Sequence, residues 1–100
     1  MAINNKFDEL YNYIDEHYNI IEVFDENNIG TKYIEFSMKR HRYLVSYNKR
    51  SNSFVISRGE DDVFYSGQSL ITLIGAIANE FDRIWGKYER IYFQNERLWF

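Results

Sequence analysis

The chain has 100 residues, the size of one ordinary domain with a single core, and a formal net charge of −3. It contains no cysteine, which excludes disulfides, thiolate zinc sites and cysteine nucleophiles. Its two histidines, His17 and His41, leave little nitrogen ligand for a metal, whereas a composition that is 45% hydrophobic and 19% aromatic supplies an ample core.

Residues 6–18 read as a helix. Phe7, Leu10, Tyr11, Ile14 and Tyr18 fall on one stripe, Asn5 is placed to cap it, and Asp8 and Glu9 in the first turn suit the positive end of the dipole. Short strands follow at 20–25, 31–38, 42–48 and 53–58, with 63–65 a candidate fifth, separated by turn signals at 27–30, 51–52 and Gly59. In the second strand Ile34, Phe36 and Met38 share one face and Tyr33, Glu35 and Ser37 the other. In the third, Tyr43, Val45 and Tyr47 oppose Leu44 and Ser46. Loops this short predict an antiparallel meander.

A second helix starts near Ser66 or Ser69 and carries the strongest periodic stripe, Leu70, Leu73, Ile74, Ile77, Phe81, Ile84 and Trp85. Gly86 is a natural C-cap, yet the spacing continues through Tyr88, Ile91, Tyr92, Leu98 and Trp99. Residues 87–100 therefore read as a continued helix, a second helix at an angle, or strands at 91–93 and 98–100. The fold class is α+β: an N-terminal helix, a meander of four to five strands and a C-terminal helix or two. Both helices bury their stripes on one face of the sheet, giving a two-layer sandwich in a single domain, 1–100.

Charge is segregated along the chain. Residues 1–36 hold two basic and eight acidic side chains, 37–58 six basic and none acidic, and 59–100 four basic and seven acidic. Lys39, Arg40 and Arg42 surround one turn of the basic stretch 39–58, Lys49 and Arg50 the next, and Arg58 returns to the first. Such cations can contact phosphate, with Tyr43, Tyr47 and Phe54 as stacking faces, or simply keep turns soluble. At ~3.3 Å per residue the two clusters lie roughly 20 Å apart, which weakens a single nucleic-acid footprint. The acidic counterpart, Asp8, Glu9, Asp15 and Glu16 on the exposed side of the first helix followed by Glu22, Asp25 and Glu26, suits a basic groove on another protein or an ordinary solvated face.

No catalytic pattern emerges. There is no Gly-x-Ser-x-Gly elbow; Ser66-Gly67-Gln68-Ser69 lacks the lysine and spacing of a phosphate loop and is better explained by helix capping. Glu60-Asp61-Asp62 lacks the alternation of a calcium loop, and neither histidine has metal-ligand spacing. The expectation is a protein that is not an enzyme and binds no cofactor or metal. The aromatic tail is a different matter. Trp85, Tyr88, Tyr92, Phe93, Trp99 and Phe100 lie within the last sixteen residues, interspersed with Arg90 and Arg97. Aromatic and arginine side chains anchor interfaces, so this segment is a candidate for core and for association alike.

The first ten residues are unlike a secretory signal, and the longest mostly apolar run, 70–78, is far shorter than the ~20 residues of a spanning helix, so a cytoplasmic protein with no membrane contact is expected. Asn, Ile, Lys, Tyr and Phe total 44 residues against 15 for Gly, Ala, Arg and Pro, the usage of an AT-rich genome such as that of a low-GC bacterium, its phage or a mobile element. In size, acidity and layout the chain resembles small phage-encoded inhibitors of host proteins, without a motif that identifies one family. The functional expectation is a non-catalytic protein-binding module with the acidic helix or the aromatic tail as interface, to a foreign partner or in a homodimer. The alternative is nucleic-acid binding through residues 39–58.

Overall fold

The computed structural model describes residues 6–26, 30–59 and 61–98, with side chains as far as Gly86. The cap expected at Asn5, most of the 27–30 turn, Glu60 and the terminal pair Trp99 and Phe100 lie outside the described residues.

Loops of a few residues cannot carry a chain across a sheet, so each strand turns back beside its predecessor. The strands β1 (Asn19–Glu26), β2 (Thr31–Met38), β3 (His41–Asn48), β4 (Ser53–Arg58) and β5 (Asp62–Gly67) form one antiparallel sheet in chain order. The helix α1 (Lys6–His17) precedes them and α2 (Leu70–Leu98) follows. The candidate fifth strand is real, and the architecture is the expected two-layer α+β sandwich.

Pleat alternation decides the faces. On β2, Ile34, Phe36 and Met38 are buried and alternate with half-buried Tyr33, Glu35 and Ser37; on β3, Tyr43 and Val45 are buried and Leu44 and Ser46 half-buried. Two irregularities adjust the register. One between Ile20 and Glu22 falls in the first edge strand. The other leaves Tyr65 opposite Ile56 but Val63 opposite Ser57, so Phe64 is the extra residue. Phe64 is half-buried and meets Tyr43 edge-on, with ring centroids 6.1 Å apart.

Both helices cover the inner face, α1 against β1 and α2 against β5, and they touch each other. Phe7, Leu10 and Ile14 of α1 and Leu73, Ile77 and Ile84 of α2 meet the buried side chains of β2, β3 and β4 in one core. Ser69 rather than Ser66 caps α2: its Oγ accepts from the Thr72 N–H at 3.1 Å.

Gly86 does not end α2, which runs on for 29 residues to Leu98. One glycine costs a helix interior about 1 kcal/mol, and with no proline in the chain the good helix formers on both sides absorb it. At 1.5 Å per residue α2 is about 43 Å long, against about 26 Å for an eight-residue strand. It passes the β2–β3 turn where Lys39 Nζ lies 3.8 Å from the centre of the Trp85 ring, and its later turns continue beyond the sheet. The longest dimension of the molecule is accordingly 59 Å.

Candidate functional site

The first candidate surface is acidic. On α1 the buried stripe leaves Asp8, Glu9, Asp15 and Glu16 on the opposite, exposed side. The chain then turns at Tyr18 directly into β1, an edge strand whose residues are all exposed except half-buried Ile20. Glu22 and Glu26 lie on the open face of that edge and Asp25 on the face that carries α1, so acidic side chains line both sides of β1. Asp25 is drawn into a surface pair with Lys49 at 3.6 Å. Desolvation and the nearby Glu26 carboxylate raise the pKa of the Tyr33 hydroxyl.

The second surface is the face of the sheet that the helices leave open. Phe24 of β1 stacks on Tyr33 of β2, centroids 4.9 Å apart, and Phe24 also borders a depression of about 340 Å³ lined with it by Glu35, Arg42, Tyr43, Leu44 and Gly59. Arg42 Nε reaches Glu35 at 3.4 Å while its side chain stays two-thirds exposed. Val55 and Val63 continue the apolar content of this face at 36% and 52% exposure.

The basic residues split as strand geometry requires. Lys39, Arg40, Arg42 and Arg58 lie at one end of the sheet, and Lys49 and Arg50 lie in the turn at the other, whose backbone N–H groups at Arg50 and Ser51 bond Asn48 Oδ1. Several cations already have protein partners: Lys39 sits on Trp85, Arg42 on Glu35, Lys49 on Asp25, and Arg58 on both Glu80 and Asp62. Tyr43 and Phe54, proposed as stacking faces, are buried; Tyr47 is half-buried and hydrogen-bonds Asn52 Oδ1 at 2.6 Å.

A buried ionic cluster was not anticipated. Glu80 is 3% exposed within the stripe of α2. It accepts from Arg58 at 2.7 and 2.8 Å, from Arg83 at 3.0 and 2.8 Å and from the Tyr43 hydroxyl at 2.8 Å. Arg58 also holds Asp62 at 2.7 Å and lies over the Phe64 ring at 4.5 Å. Burial alone would raise the Glu80 carboxyl, but these charged donors outweigh it and hold the group well below the usual carboxylate range. Burial and the bond to Glu80 push the Tyr43 phenol up. The sequence carried a signal: Glu80 falls three residues after Ile77 and four before Ile84, a charged residue in an apolar stripe. Every lone pair of the carboxylate is engaged, so the cluster fastens α2 to β3 and β4 and presents no reactive atom.

His17 Nδ1 lies 2.8 Å from the Tyr13 carbonyl oxygen, and His41 is exposed beside the β2–β3 turn. Among the described residues no group of three or more His, Asp or Glu side chains could hold a metal, and no helix is long and apolar enough to cross a membrane. Of the aromatic tail, Tyr88, Tyr92 and Phe93 belong to α2, with side chains outside the described residues, as are Trp99 and Phe100 altogether. The chain matches no family model, and no curated protein or solved structure matches it.

Proposed function

We propose that this chain is a non-catalytic protein-binding module, an inhibitor of a host protein of the kind that phages and mobile elements carry, working in the host cytoplasm. Its docking surface is the acidic side on which α1 meets β1, and the aromatic C-terminal part of α2 serves as a second anchor, to the partner or to another copy. The observation that carries the reading is the concentration of exposed acids on two successive elements, Asp8, Glu9, Asp15 and Glu16 on the outer side of α1 and Glu22 and Glu26 on the open side of the edge strand β1. A surface of one sign steers and selects a partner of the other sign.

Affinity capture from a host lysate, with and without nuclease, tests this directly. A partner protein should survive nuclease treatment and be lost when Asp15 and Glu16 are both changed to Lys. Capture that vanishes with nuclease, or with Lys39, Arg40 and Arg42 changed to Ala, would instead establish nucleic-acid binding.

A further inference from the structure

We infer that β1 is completed by an extended segment of the partner that adds as a sixth strand and carries a cation, an apolar residue and a second cation at alternate positions. The inference rests on the protein-binding reading and narrows it to one edge and one chemistry.

Sheet edges invite pairing, and natural proteins blunt them with charged side chains, bulges, proline, shortness or cover; on β1 the charges are all acidic, so they repel anionic strands and leave cationic ones welcome. Here β1 is eight residues long, has no proline or lysine, and no described segment pairs with its outer side. Ile21, Val23 and Phe24 are 40%, 42% and 38% exposed. The register irregularity is confined to Ile20 and Glu22, so the pairing from Glu22 to Glu26 is regular. Each edge strand lies against a helix, β1 against α1 and β5 against α2, but β5 is the shorter, at six residues.

Charge identifies the occupant. Glu22 sits directly opposite Glu35 on β2, two like charges facing each other across a strand pair. Arg42 relieves Glu35 alone, at 3.4 Å. A cation on an added strand would stand beside Glu22 and complete that row. Glu22, Phe24 and Glu26 alternate on the open face, so the matching strand presents Lys or Arg, an apolar side chain and Lys or Arg in the same order. A second copy of β1 fits badly: antiparallel pairing centred on Phe24 puts Glu22 against Glu26 twice.

The probe is the acetylated and amidated peptide Thr-Lys-Thr-Leu-Thr-Lys-Thr, titrated into the full chain at low salt and followed by backbone amide shifts. Saturable shifts centred on Glu22–Glu26 are expected. The peptide with both lysines replaced by glutamate should bind at least about tenfold more weakly, and Glu22→Lys with Glu26→Lys should reverse that preference. Thermal melts of the variant confirm that it is folded, and N-methylation of the peptide backbone should abolish binding if strand pairing is the mode. Absence of binding at millimolar peptide, or undiminished binding of the N-methylated peptide, overturns the inference. Shifts confined to α1 also overturn it, while leaving a protein-binding surface on that helix. A free chain that dimerises with amide shifts centred on Glu22–Glu26, and more tightly on Glu22→Lys, would show that a second copy is the occupant, and overturns it equally.

Discussion

Glu80 shows how one residue joins the two layers. Its carboxylate is 3% exposed, yet it stays ionised because two guanidinium groups and a phenol supply all its hydrogen bonds. Removing one partner of such a cluster leaves the others uncompensated, so Glu80→Ala should cost about 3 kcal/mol by chemical denaturation. The pH dependence follows from the direction of the shift. The unfolded carboxyl titrates near ~4.3 and the folded one well below it. The contribution is therefore complete above about pH 5, and as pH falls the unfolded chain takes up a proton that the folded chain refuses. Stability drains away on acidification toward the folded-state value, and Glu80→Gln should lose less between about pH 5 and pH 3 than the parent chain does. Equal losses in both would show that Glu80 is not the group responsible. A second residue-scale feature is the β2–β3 turn, where Met38 pairs with His41 and the two loop residues, Lys39 and Arg40, have φ of 49° and 71°. Both central positions of such a turn want Asn or Gly, and a left-handed side-chain residue costs roughly 1 kcal/mol. Arg40→Gly should therefore raise stability by about 1 kcal/mol, read as an increase in Tm.

At the scale of elements, the alternation of β2 and β3 was legible in the sequence because each strand has one wet and one dry face, and period two then dictates the burial. The extent of α2 was less legible, because Gly86 is a cap signal by local chemistry and only the surrounding propensity overrides it. The ionic cluster escaped notice because its members come from three elements; sequence places Glu80 in the stripe of α2 but cannot place Arg58 and Tyr43 against it. The β5 irregularity that sets Phe64 against Tyr43 is invisible for the same reason, since a bulge is fixed by the partner strand. Of the candidate site, the acidity of α1 was evident, whereas the exposure of β1 depended on knowing which strand lies at the edge. Within α2 the stripe residues also differ in weight. Ile77 is fully buried, but Phe81 is half-buried between Tyr18, at 5.4 Å, and Trp85, at 6.5 Å. Ile77→Ala should cost about 3–4 kcal/mol and Phe81→Ala closer to 2, the reverse of their order by side-chain size. Urea titration of both variants checks the order.

The molecule as a whole divides into a sandwich and a projecting helix. The buried apolar side chains, among those described as far as Gly86, run from Phe7 to Ile84. The later turns of α2 continue where the sheet has ended, and the sequence there is rich in aromatic residues. A helix beyond its own sheet has lost the surface that usually stabilises it, since helical stability in proteins comes chiefly from packing an amphipathic face. A partner, foreign or identical, covering this segment would restore such a surface. Deleting residues 95–100 removes Leu98, Trp99 and Phe100 and leaves in place the core cluster from Phe7 to Ile84. The shortened chain should remain folded, unfold in one cooperative transition and keep the acid sensitivity conferred by Glu80, while losing self-association in sedimentation or the capture of its partner. Cooperative unfolding lost together with association would place the tail in the core; association retained in full would leave the α1–β1 side as sufficient for binding.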